Sequence, residues 1–419
     1  RHGRTPGGDF EHRPVPVSPH DIPAQTYGGP RRSGADGLPI VNAPISEMKP
    51  PGGRFESIDC LRGWALIGVF VIHCALVVPA VGVGFMTLFR TGQFGVDLFF
   101  VISGFVLCES AFRRQRQAGW RAQAGFFRRR LYRLIPLYWI GMLLYGYLIE
   151  GSLGLRGEEA PLQVWAGNLM LLNGWQPGWE NYIMPGGWSI GAEATFAAVF
   201  ALIYPWVKSL KIAVFWWVGM IVLVAFFTTP LSRMVTSFIP RGGDPSSGYF
   251  SFRHLPSFFG GIVVWHMHRS GVSGSISTRI SLLVMTLVVG LLIGRSFGLG
   301  ENLERSLMVG SAMIILVLMA LNVAPALLGG DVIAWIGRHS YSSYIVHYAM
   351  IIQAEIIVVT LLPAGVSALL MYGLVFVLIC VFTFPAAWFL ENLLELPRFS
   401  RRVFPSLFGK SDRSSRDAS

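Results

Sequence analysis

An arginine and a histidine stand eleven residues apart in the otherwise apolar stretch SIDCLRGWALIGVFVIHCALVVP, which carries Asp59, Arg62 and His73. At 100° per residue, eleven residues bring Arg62 and His73 to within about 20° of one helix face, roughly 16 Å apart along its axis. Two more apolar stretches carry acids. QFGVDLFFVISGF holds Asp97 and Ser103, and GGWSIGAEATF holds Trp188, Ser189 and Glu193. Counted from the ends of the expected helices, His73, Asp97 and Glu193 fall in one layer, with Glu193 roughly 7 Å inside the edge. A carboxylate bonded to one imidazole nitrogen fixes the tautomer and makes the other nitrogen more basic, which suits removal of a proton from an alcohol. His73 therefore reads as a general base, with Glu193 orienting or charging it and Asp97 in the same layer. Metal ligation is the rival use of these atoms. It is disfavoured because no second histidine lies at helical spacing, and no metal is expected.

A second group is basic. RRQRQAGWRAQAGFFRRRLYRLIPLYW carries eight arginines between residues 113 and 133. Their ordinary meaning is topology and lipid headgroup contact. Their sharper meaning is a phosphate clamp, because a guanidinium offers paired donors to phosphoryl oxygens. Arg130 and Arg133, three apart on one face, are the best pair for it. Further on, GRHSYSSYIVHYAMI brings Ser340, Tyr341, Tyr344 and His347 into another apolar run, where His347 reads equally as packing or as a ligand.

The elements that must hold these groups are membrane helices. The 419 residues are 53% hydrophobic and 14% charged, against about a quarter charged in soluble domains. Ten apolar runs, near 58–81, 93–112, 131–150, 188–206, 212–229, 250–268, 280–295, 306–328, 341–362 and 366–390, approach the ~20 residues a spanning helix needs. Their length and lack of alternation predict an all-α, polytopic transmembrane helical bundle of about ten spans, not a barrel. The run at 250–268 is the weakest, since it carries Arg253, His254 and Pro256. Of the 34 Lys and Arg, 26 fall in the loops and tails of one side, 6 on the other, and Arg62 and Arg253 lie within spans. The basic side is expected to be cytoplasmic, with both termini there, which places the protein in the cell membrane. That distribution also accounts for the net charge of +11 without nucleic acid as a partner. Residues 1–53, with ten prolines and nine glycines, read as a disordered cytoplasmic tail. Residues 54–397 read as the membrane domain and 398–419 as a basic cytoplasmic tail. Cys60, Cys74, Cys108 and Cys380 show no metal spacing or disulfide framework.

The Arg62-x10-His73 pair after IDC, the GVDLFFVISGF and RRRLYRLIPLYW segments, WSIGAEATF and the late SYSSYIVHY stretch occur in the order seen in the acyltransferase-3 family of membrane O-acyltransferases, which the chain resembles over residues 54–397. The resemblance implies transfer of an acyl group, commonly acetyl from acetyl-CoA or another acyl-CoA, to a hydroxyl. The acceptor would be a carbohydrate or a glycosylated or macrolide-like small molecule. The family's histidine, arginine and tryptophan-serine-glutamate motifs match His73, Arg62, Arg130, Arg133, Trp188, Ser189 and Glu193. With the residues read above, His73, Glu193 and Asp97 are expected to be catalytic, Arg62, Arg130 and Arg133 to hold the donor, and Trp188, Ser189, Ser103, Tyr344 and His347 to contact substrate. Ala194 stands where the family often has a second acid, and Cys60 where it often has glycine; both bear on substrate positioning. Two variants stay open: a covalent acyl-histidine, and Ser103 as nucleophile. On physics alone, a transporter using buried His, Glu and Arg as an ion or proton relay fits the same pattern.

Overall fold

A computed structural model describes residues 55–78, 83–113, 120–148, 160–176, 178–238, 251–270, 300–363 and 365–394. The two expected tails and the expected span at 280–295 lie outside the described residues. Twelve α-helices occur among the described residues: α1 (Glu56–Val77), α2 (Val83–Arg90), α3 (Phe94–Arg113), α4 (Trp120–Leu143), α5 (Leu162–Leu169), α6 (Gly187–Ile203), α7 (Leu210–Phe238), α8 (Leu255–Arg269), α9 (Gly300–Ala320), α10 (Gly330–Arg338), α11 (Ser340–Leu361) and α12 (Ala368–Leu394). No strand occurs among the described residues.

Six segments among the described residues are long and apolar enough to cross a bilayer: Glu56–Val77, Leu88–Arg113, Gly187–Trp206, Leu210–Thr228, Ser340–Leu361 and Ala368–Asn392. Two of them show what surrounds the bundle. Only 17% of Leu210–Thr228 and 22% of the apolar window in Ala368–Asn392 are buried, leaving Phe215, Phe226, Val377, Val381 and Phe389 on the surface. Contiguous apolar faces of that size are tolerated against lipid and not against water. The protein is an integral, multi-pass α-helical membrane protein. Three further expected spans are helical but do not have that length and hydropathy. α4 carries arginines through its first half, α8 has 15 residues, and Met308–Ala320 is the apolar part of α9.

Lipid is as apolar as leucine, so helices here associate through close packing and hydrogen bonds. Two apolar clusters result. One joins α3, α7, α8, α9 and one side of α6; the other joins α4, α10, α11, α12 and the other side of α6. α1 serves both, sending Ile58, Leu61 and Ala65 into the first and Leu66, Val69 and Phe70 into the second. Between α3 and α8 the backbones touch, because a methyl on Gly104 would land on the Phe258 carbonyl and one on Gly261 on the Val101 carbonyl. Tyrosine hydroxyls pin the second cluster. Tyr145, in the wide π turn Leu144–Leu148 that ends α4, donates to the Ile345 carbonyl at 2.8 Å. Tyr341 donates to the Leu134 carbonyl at 2.6 Å, and Tyr372 to the Val71 carbonyl at 3.0 Å. The polar side chains of interest lie along the seam between the clusters.

Candidate active site

Four helices supply the first part of the seam. Arg130 of α4 forms an ion pair with Glu193 of α6. Ser103 of α3 donates to the same carboxylate oxygen at 3.1 Å and accepts from Arg130 at 3.5 Å. Arg62 of α1 lies within electrostatic reach of Glu193, Arg130 and Arg133. The Nε atoms of Arg62 and Arg130 are buried, with no hydrogen-bond partner among the described residues. Arg133, one turn along from Arg130, is exposed. Arg62, Ser103, Glu193, Ser189, Tyr341 and Tyr344 form the polar wall of a cavity with about 480 Å³ of empty space, open solvent included. Phe99, Phe100 and Ile190 help form its apolar wall. Arg62 and Arg130 thus meet at Glu193 beside an apolar wall, with Asp59 also acting on Arg62 and Arg133 adding charge from the exposed side. An excess of positive charge there is costly unless an anion completes it.

The second part lies on α1 and α11. His73 Nδ1 is 2.9 Å from His347 Nε2, and His347 Nδ1 is 2.6 Å from the Tyr344 carbonyl oxygen. His347 is fully buried and stacks on Phe70 at 5.4 Å, whereas His73 is only partly buried. Tyr348 lies 4.4 Å from both imidazoles. Two nitrogens bound to one zinc ion at about 2.0–2.1 Å each in tetrahedral directions stand roughly 3.3 Å apart. The 2.9 Å gap matches a shared proton instead.

The two parts are joined through Tyr344. Its hydroxyl lies 3.0 Å from Ser189 Oγ and donates to the Gly186 carbonyl at 3.2 Å. Ser189 Oγ reaches the same carbonyl at 2.9 Å. Gly186 sits at φ +73°, and its N–H donates to Asn181 Oδ1 at 2.8 Å. A side chain there would be strained, and its Cβ would stand 2.7 Å from the Tyr344 hydroxyl. Gly186→Ala is therefore expected to cost about 1–2 kcal/mol. A thermal melt in detergent should show the loss, together with weakened catalysis as Tyr344 is displaced. An unchanged melting point and rate would remove Gly186 from the account.

The match to known proteins covers the same region. The family description "Acyltransferase domain" (Acyl_transf_3) fits residues 55–392. The chain belongs to the acyltransferase-3 family. Acyltransferase MdmB of Streptomyces mycarofaciens is 30% identical over 213 residues, covering 48% of this chain and 51% of MdmB. The alignment thus spans about half the length of that curated relative. No solved structure matches.

Arg62, Arg130, Ser103 and Glu193 are brought together, and Ser189 and Tyr344 line the same cavity as Arg62, Ser103 and Glu193. His73 and His347, 274 residues apart in sequence, meet directly. The expected pairing of Glu193 with His73 is corrected: Glu193 is held by Arg130 and Ser103, and the hydrogen bond to His73 comes from His347. Sharing an expected layer did not make Glu193 and His73 neighbours. Ile183 to Ile190 are all buried, so α6 begins inside the protein beneath an irregular segment. Asp97 accepts hydrogen bonds from His254 at 3.2 Å and Ser257 at 3.1 Å. Trp188 packs against His254 with tilted rings and centroids 4.9 Å apart, so it braces this buried group. Gly186, Asn181, His254 and Ser257 were missed as site-forming residues. Only His254 had a signal, as a histidine in an apolar run. Gly186 was one of many glycines.

Proposed function

We propose that this acyltransferase-3 protein moves an acyl group, acetyl in the first instance, from acyl-CoA to a hydroxyl of a carbohydrate or glycosylated small-molecule acceptor. The observation that carries the reading is the meeting of Arg62, which lines the cavity, with Arg130, which is paired to the cavity-lining Glu193 carboxylate, the Nε atoms of both arginines being buried. Guanidinium groups pair with phosphoryl oxygens through two parallel hydrogen bonds. The diphosphate of acyl-CoA supplies such oxygens, with Arg133 adding charge from the exposed side. His73 then serves as general base. Its free ring nitrogen takes the acceptor's hydroxyl proton as the oxygen bonds to the acyl carbon. The carbon–sulfur bond breaks, and the coenzyme A thiolate leaves and recovers the proton from the imidazolium. Glu193 keeps Arg130 in place and so acts through it. The test is to incubate purified protein with labelled acetyl-CoA and a cell-envelope extract. Label in a hydroxyl-bearing carbohydrate or glycosylated molecule is the expected result. Unlabelled acceptors with intact acetyl-CoA would overturn it.

The donor is cytoplasmic, so this reading needs the arginine-rich side to face the cytoplasm of the cell membrane, in keeping with the 26-to-6 division of basic residues. Reporters fused after Leu210 and Ser419 are expected to read as cytoplasmic, and those after Arg156 and Arg241 as external. Arg156 and Leu210 on the same side would mean that the chain between them does not cross.

A further inference from the structure

We propose that His347 is a positioning residue that fixes the tautomer of His73, leaving His73 Nε2 as the unprotonated nitrogen that meets the acceptor. The inference rests on the reading of His73 as general base. It follows from the direction of two hydrogen bonds.

The Tyr344 carbonyl oxygen only accepts, so the nitrogen 2.6 Å from it, His347 Nδ1, carries a proton. His347 is fully buried against Phe70, and no carboxylate hydrogen-bonds it among the described residues. An unpaired buried charge is costly, so this imidazole holds one ring proton, and its Nε2 is an acceptor. The partner at 2.9 Å must then donate, which places the proton of His73 on Nδ1. The remaining lone pair is on His73 Nε2. That atom has no hydrogen-bond partner among the described residues, and its side chain is only partly buried.

A main-chain carbonyl within α11 thus sets the polarity of a relay that runs through His347 to His73. The ring centroids are 5.1 Å apart and the planes 21° from parallel, so the two imidazoles lie edge to edge through this hydrogen bond, and Tyr348 packs against both. When His73 gains the acceptor's proton, its Nδ1–H still points at His347 Nε2, and the bond becomes charge-assisted. The relay is neutral where a carboxylate would be charged. It therefore orients the base without adding a second anion to the site.

The test compares His347→Phe and His347→Gln in the full chain in detergent, with His73→Ala alongside. Phenylalanine keeps the ring and removes the acceptor, whereas the glutamine amide oxygen offers an acceptor at the reach of Nε2. His347→Phe is expected to lower kcat by roughly 10²-fold while leaving the KM for acetyl-CoA unchanged, and His347→Gln to recover most of that loss. In ¹⁵N-histidine-labelled wild-type protein, ring-nitrogen chemical shifts should show His73 protonated on Nδ1 and bare on Nε2, with the signal assigned by its absence in His73→Ala. Wild-type kcat in a folded His347→Phe, with His73→Ala inactive, would overturn the positioning role alone. An active His73→Ala would overturn the base reading beneath it. If His347→Phe does not fold, the wild-type spectrum decides, and a proton on His73 Nε2 would contradict the proposal.

Discussion

Replacing His73 with alanine is expected to reduce acyl transfer by roughly 10² to 10⁴-fold, the usual contribution of a positioned general base. A hydroxyl is a weak nucleophile near neutral pH, and imidazole, with an unperturbed pKa of about 6.5, takes its proton without needing an extreme environment. The change should leave donor binding intact, because the arginines belong to a different part of the seam. It should also be tolerated by the fold: His73 is only partly buried, and α1 is held on both sides by apolar contacts that the substitution does not touch. The buried partner His347 loses its donor, which is a modest cost of about 1 kcal/mol. Transfer rate and acetyl-CoA affinity measured on the same folded preparation separate the outcomes. If only Ser103→Ala were inactive, the serine route would replace the histidine one.

The second large effect falls on Arg130. Its guanidinium and the Glu193 carboxylate are 12% and 19% exposed, so truncating one leaves the other charged and nearly unsolvated. Loss of one partner from such a pair typically costs 3–5 kcal/mol. Arg130→Ala should therefore melt well below the wild type. Arg130→Lys asks the functional question without that loss, since it keeps the charge and gives up the paired N–H donors. Its affinity for acetyl-CoA is expected to fall about tenfold, equivalent to 1.4 kcal/mol. Arg62→Lys should behave similarly. Unchanged donor affinity in both lysine variants would make these arginines elements of the fold and of membrane topology.

Much of this architecture was legible in the residues because apolar runs near twenty residues have few alternatives to membrane helices. The Arg62–His73 spacing places both groups on α1, and the runs around Asp97, Arg130, Glu193 and His347 correspond to α3, α4, α6 and α11. Which of these groups touch was not legible. Helical periodicity gives the face of a residue, and helix ends give its depth, but partners follow from how helices are arranged around one another. Glu193 shows the consequence. Its partners are Arg130 of α4 and Ser103 of α3, not the histidine that a shared layer suggested. The His73–His347 contact joins positions 274 residues apart, beyond any local pattern. Sequence spacing had argued against a second histidine beside His73, and the tertiary fold supplied one.

The central claim is that a thioester is converted to an ester on a hydroxyl. The most direct measurement counts both products in one reaction, with purified protein, labelled acetyl-CoA and the acceptor recovered from the envelope extract. The account predicts one free coenzyme A thiol for each acetyl ester formed, with both signals falling together in His73→Ala while acetyl-CoA remains bound. Thiol release without ester formation, or ester formation at the wild-type rate by folded His73→Ala protein, would contradict it.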